Sequence, residues 1–254
     1  VSVVGDAFAK AKAEGRAALV GYLPAGFTDD GAFATMVEHG VDVVEVGLPY
    51  SDPLMDGPVI QDAVQRALAN GTRTRDVLRT VEAVAATGAP ALVMTYWNPV
   101  ERYGVEAFAR DLAAAGGAGA ITPDLIPEEA GEWLAAVDAH GLDPVFLVAP
   151  SSTDDRLRVV AERSRGFVYA ASTMGVTGAR DAVAATAPAL VARMRAVTST
   201  PVAVGLGVST GAQAAEVAAY ADGVIVGSAF VRAVTDGTVA TLATELSAGC
   251  RGRA

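Results

Sequence analysis

The sequence predicts an α/β protein folded as a (β/α)8 TIM barrel with an extra N-terminal helix, one domain over residues 1–254. Three observations predict it. Eight short apolar runs alternate with helix-patterned segments from one end of the chain to the other. Apolar strands joined by helices belong to a parallel sheet, and the length matches the roughly 250 residues of a closed barrel. No Gly-x-Gly-x-x-Gly turn follows the first run, as it would in an open dinucleotide-binding sheet.

Residues 4–14 are expected to form a helix across the N-terminal mouth. The strand-like runs are 18–23, 41–46, 91–96, 118–121, 145–149, 167–171, 202–204 and 224–226. The fourth is the weakest, because Ala118, Gly119 and Ala120 offer little side chain to pack. Between the runs, Ala63, Val64, Ala67 and Leu68 keep helical spacing, as do Val77, Leu78, Val81 and Val84. Pro58 suits a first helical position and Thr153 an N-cap. Pro188 is expected to start a helix rather than sit inside one. His39-Gly40 and His140-Gly141 repeat one helix-ending device, each leading into a strand. No linker or low-complexity segment divides the chain.

Hydrophobic residues make up 52% of the chain, enough for a large core, yet no apolar run is long enough to span a bilayer. Asp6, Lys10 and Lys12 interrupt any signal-peptide pattern, so a cytoplasmic protein is expected. A net charge of −10 argues against nonspecific nucleic-acid binding. The single cysteine, Cys250, excludes an internal disulfide and a cysteine-rich zinc site.

The densest chemical signal lies at residues 43–57. Val43, Val44 and Val46 mark a buried strand with Glu45 in its middle. A carboxylate among valines is costly unless it is partnered or needed. The strand breaks at Gly47 into a loop that carries a second carboxylate, Asp56. Taken alone, Glu45 could fill the barrel as half of an ion pair, and Asp56 could be a turn residue before Gly57. Asp124, after the fourth strand, reads equally as a cap, and Tyr22 and Tyr169 as packing residues. Gly205, Gly207, Gly227 and Ser228 lie where the seventh and eighth strands end. Barrels often bind phosphate there through backbone N–H groups and a helix N-terminus. The glycines around Thr177 and Gly178 suit a lid, or equally an ordinary surface loop.

Absences narrow the chemistry. Only Lys10 and Lys12 occur, so no barrel strand offers a Schiff-base amine, and both histidines, His39 and His140, fall on the far rim. No metal site and no serine–histidine pair is expected, which leaves carboxylate acid–base chemistry on a phosphorylated substrate.

Residues 44–57, the Gly175-Val176-Thr177-Gly178 segment, Gly205–Gly207 and Gly227-Ser228 closely resemble the tryptophan synthase α subunit family, and the similarity extends along nearly the whole chain. The resemblance implies a barrel that cleaves indole-3-glycerol phosphate to indole and glyceraldehyde 3-phosphate. It implies no cofactor in this chain. It also implies a pyridoxal-phosphate β subunit as partner in an α2β2 assembly, with indole passing between the two through a tunnel. It assigns Glu45 and Asp56 as the acid–base pair and Tyr169 as the residue orienting Glu45. Tyr22, Thr177, Gly178, Gly205, Gly207, Gly227 and Ser228 fall on substrate-binding positions, and Asp52, Pro53, Asn98 and Asp124 on the face toward the β subunit. Met55, Trp97 and the lack of an arginine near Thr173 depart from the family pattern. Two other enzymes remain: a stand-alone lyase with the same active site, and a phosphate-binding barrel isomerase. A noncatalytic regulator would not need both Glu45 and Asp56.

Overall fold

A computed structural model describes residues 2–171, 180–205 and 207–251, with the side chains of 180–185 outside the description. Among the described residues nine parallel strands form one sheet: β1 Ala18–Pro24, β2 Val43–Gly47, β3 Ala91–Met94, β4 Gly119–Ile121, β5 Asp143–Val145, β6 Leu147–Val148, β7 Val168–Ala171, β8 Val202–Gly205 and β9 Gly223–Val226. Their order is β5-β4-β3-β2-β1-β9-β8-β7-β6. The two ends of this sheet are one stretch of chain, separated only by Phe146, so the sheet closes on itself as the expected barrel.

The fifth stave corrects the expectation of one strand over 145–149. It starts earlier, at Asp143, whose N–H donates to the Ala118 carbonyl at 2.8 Å, and it breaks at Phe146. Pro144 has no N–H to give a ladder. The Phe146 N–H turns to Ser164 Oγ at 3.4 Å, while the Phe146 carbonyl accepts from Tyr169 at 3.1 Å. Its first half therefore pairs with β4 and its second half with β7. The small residues of β4 also find a reason. A Cβ on Gly119 would run into the Asp143 backbone, so this close approach of neighbouring strands requires glycine.

Helix α1, Val3–Ala13, buries Val4, Phe8 and Ala11 along one face. These residues pack with Val20, Val43, Leu92, Ile121, Val145 and Phe167 from the strands, closing the N-terminal mouth. Phe8 stacks on Phe167 at 5.1 Å, and Gly223 leaves room for its ring. The outer layer is made of helices α2 Gly31–Glu38, α3 Pro58–Ala69, α4 Thr74–Ala85, α5 Trp97–Tyr103, α6 Val105–Ala114, α7 Gly131–His140, α8 Asp154–Arg163, α9 Arg180–Arg195, α10 Gly211–Ala218, α11 Ser228–Asp236 and α12 Val239–Cys250.

The expected signals sit where they were read. Pro58 opens α3, Thr153 Oγ1 accepts from the Arg156 N–H, and Gly40 and Gly141 follow α2 and α7 with φ of +104° and +67°. Pro188 does not. It lies inside α9, against the expectation of a helix start. The ring removes one intrahelical donor. Ala187, Leu190, Val191 and Met194 are buried on both sides of it, and that packing carries the helix through.

Candidate active site

The register of the first strands sets the site. Glu45 in β2 stands level with Tyr22 in β1 and Leu92 in β3. It is 2% exposed, and its Oε1 has no hydrogen-bond partner among the described residues. Among the described residues no ion pair makes Glu45 structural. Burial raises its pKa from the ordinary 4.5 to about 8, so the carboxyl keeps its proton at neutral pH.

Two tyrosines lean toward the C-terminal mouth. A Cβ on Gly47 would lie 2.5 Å from Tyr22 Oη, and one on Gly205 would lie 2.5 Å from Tyr169 Oη. Each ring thus crosses to the neighbouring strand and covers a glycine beyond its own register partner, Glu45 for Tyr22 and Ala203 for Tyr169. Burial, then the charges of Glu45 and Asp56, pushes the Tyr169 hydroxyl well above its usual range. Burial, then Asp56 and Glu45, does the same to Tyr22. Both carboxylates and both phenols therefore lie near one another at this mouth.

Asp56 reaches this region from the loop between β2 and α3. Tyr96, just past β3, holds that loop. Its Oη accepts from the Met55 N–H at 2.9 Å and lies 3.3 Å from Asp56 Oδ1, to which it donates. Gln61 Nε2 adds a bond to the Asp56 carbonyl at 2.7 Å. Burial raises the Asp56 pKa, and the Tyr96 hydroxyl works against that rise. Sequence reasoning passed over Tyr96. The available signal was a hydroxyl-bearing aromatic at the C-terminal end of a barrel strand, two residues before Asn98.

The glycines gather at the ends of β8 and β9, on the other side of β1 from Glu45. Gly205 pairs with Ile225, and Gly207 and Gly227 follow shortly after the ends of β8 and β9. Gly227 is the N-cap of α11, and a Cβ there would come within 3.4 Å of Tyr22 and 3.6 Å of Ile60. Ser228 begins the helix, so its free N–H groups face the same end as Tyr22. Gly207 has a φ of +67°, a backbone suited to glycine. Thr177 and Gly178 lie outside the described residues.

Asp52, Pro53, Asn98 and Asp124 lie on the same rim. Asp124 accepts the Trp97 N–H through both oxygens, at 2.9 and 3.1 Å, and so fastens the start of α5. Asn98 Nδ2 donates to Tyr50 Oη at 2.9 Å, and exposed Asp52 accepts from Ser51 Oγ at 2.6 Å. Leu54 and Met55, on the loop that carries Asp52 and Pro53, and Ile126, two residues past Asp124, are exposed by 77%, 42% and 39%.

The histidines lie at the other ends of the helices. His39 caps α2 and sits 3.1 Å from Thr244 Oγ1, and His140 ends α7 and sits 2.7 Å from Glu106. Lys10 and Lys12 belong to the last turn of α1, over the N-terminal mouth. Among the described residues, no group of three or more histidines, cysteines and carboxylates is placed to hold a metal ion, and no helix is long and apolar enough to cross a membrane.

Residues 8–249 match the profile of the family described as Tryptophan synthase alpha chain. The tryptophan synthase alpha chain of Nocardia farcinica is 63% identical over 98% of this chain and 96% of its own length. That of Thermobifida fusca is 62% identical over the full length of both. A structure of Mycobacterium tuberculosis tryptophan synthase superposes with a TM-score of 0.93 at 59% identity, covering 99% of each chain. The Legionella pneumophila alpha subunit still superposes at 0.87 with 32% identity, covering 99% of this chain and 97% of its own. A barrel with this fold, this pair of carboxylates and these relatives along its whole length belongs to the tryptophan synthase alpha chain family.

Proposed function

We propose that this chain, as one barrel domain, carries out the retro-aldol cleavage of indole-3-glycerol phosphate to indole and glyceraldehyde 3-phosphate. The observation that carries the reading is Glu45: a buried carboxyl whose Oε1 has no partner among the described residues and which stays protonated near pH 7, at the same mouth as Asp56. A neutral Glu45 delivers its proton to the ring carbon that bears the glycerol chain. The indole nitrogen takes up the resulting positive charge, and Asp56 stabilises it by accepting from the N–H. Glu45, now a carboxylate, removes the proton of the adjoining glycerol hydroxyl. The carbon–carbon bond breaks, its electron pair returns to the ring, and an aldehyde leaves. Glu45 ends as it began, and the ring has served as electron sink, so the route needs neither metal nor imine. Tyr169 orients Glu45, and Tyr22 packs along the substrate. Gly205, Gly207, Gly227 and Ser228, with Thr177 and Gly178 of the lid segment, hold the phosphate end.

The partner in this reading is a β subunit carrying pyridoxal phosphate, joined in a cytoplasmic α2β2 assembly. Asp52, Pro53, Asn98 and Asp124 would face it. The exposed Leu54, Met55 and Ile126 support a docked surface there. Because Tyr96 ties Asp56 to the same rim, docking would also steady a catalytic carboxylate. The deciding experiment is turnover of indole-3-glycerol phosphate with and without the cognate β subunit. Acceleration on mixing is expected. Full activity alone, with no gain, would favour a stand-alone lyase.

A further inference from the structure

We propose that the groove between the N-terminus of α4 and α5, lined by Arg73, Arg75 and Arg102, receives an acidic segment of the β subunit; this rests on the partner reading above. Arg73, Thr74, Tyr103 and Arg102 line a hollow of about 450 Å³ together with Asn98 and Tyr50. A second hollow of about 450 Å³ shares Arg73, Thr74 and Tyr103 and adds Arg75. The two join into one groove that starts at the rim expected to meet the partner. All three arginines are exposed.

Their nearest counterparts are neutralised within the chain: Arg66 by Asp62, Arg79 by Asp76 and Arg110 by Asp111. Arg73, Arg75 and Arg102 enter no ion pair among the described residues. Asp76 is committed to the Arg73 backbone N–H and the Arg79 guanidinium, and Asp111 to Tyr103 and Arg110. In a chain of net charge −10, three unpaired guanidinium groups on one groove make a local positive field. Forked donors on that scale suit carboxylates, and because Asn98, expected to face the partner, lines the same groove, those carboxylates are assigned to the docked subunit.

The test titrates the cognate β subunit into the full chain and reads both binding and acceleration of indole-3-glycerol phosphate cleavage. The paired reversal Arg73→Glu with Arg102→Glu should raise the half-saturating β concentration about tenfold or more and flatten its dependence on salt. The milder Arg73→Gln with Arg102→Gln should fall between, and cleavage by the barrel alone should stay at wild-type level. Arg163→Glu, exposed on α8, controls for net charge and should leave the titration unchanged. A wild-type titration and salt dependence in the double reversal would overturn the groove while leaving the partner reading intact. An unchanged titration with a raised KM for the phosphorylated substrate would overturn it too, in favour of a small-anion site. A wild type that the β subunit neither binds nor accelerates would overturn the partner reading and the groove together.

Discussion

The two mouths of the barrel are built from the same strands and solve opposite problems. At the N-terminal mouth, α1 drives Phe8 and Val4 among strand residues, and the buried Arg16 and Asp143 both have partners. Arg16, 7% exposed, donates to both Asp42 oxygens at 2.6 and 2.7 Å and to Glu14 at 2.7 Å; Asp42 also accepts the Leu19 N–H. Ser2 donates to Asp143 at 2.5 Å, tying the helix to the fifth stave. At the C-terminal mouth, Glu45 is buried with Oε1 unpartnered among the described residues, Asp56 is half-buried with only the long 3.3 Å bond from Tyr96 on its carboxylate, and Leu54 stands in water. A fold that satisfies its charges at one end and leaves them exposed to need at the other stores stability in the first and reactivity in the second.

Four measurements would break or sharpen that contrast. The largest effect is expected for Glu45→Gln, which should cut turnover about 10²–10⁴-fold, the usual cost of losing a general acid–base group. Its melting temperature should not fall, since the lost group forms no ion pair among the described residues. Retained turnover at saturating substrate would remove Glu45 from the mechanism. At the other mouth, Phe8→Ala should cost about 3–5 kcal/mol of stability from the cavity it leaves. Activity per folded molecule should persist, and an equal fall in both would show that the mouths are not separable.

The third measurement is a pH series. Glu45 is held from the ordinary 4.5 up to about 8 in the folded chain, so between those values the unfolded chain has released a proton that the folded chain retains. Its contribution to stability therefore declines as pH rises from about 4.5 to about 8, then levels off. The gap in stability between Glu45→Gln and the wild type should widen in favour of the variant over that window. A constant gap would mean that Glu45 titrates normally. The smallest effect belongs to Tyr96→Phe. Loss of its bonds to Met55 and Asp56 should cost about 1 kcal/mol of loop order and lower kcat roughly fivefold, with the fold unchanged. No change in kcat would show that the loop holds Asp56 without help.

Local rules made much of this protein readable from its chain. Short valine-rich runs read as strands, Pro58 and Thr153 as helix starts, and a glutamate set among valines announced itself, because each signal depends on near neighbours. Gly227 and Ser228 were placed by counting strands. What could not be read depends on residues distant in sequence. Whether Glu45 had an ionic partner was open until the strands closed around it and supplied none. Tyr96 meets Asp56 only because β3 ends beside the loop after β2. The break at Phe146 follows from its bond to Ser164, and Pro188 remains within α9 because flanking side chains are buried. Propensity and pattern act over a few residues, whereas the partners, desolvation and packing that give a side chain its chemistry are set by whatever the closed barrel brings against it.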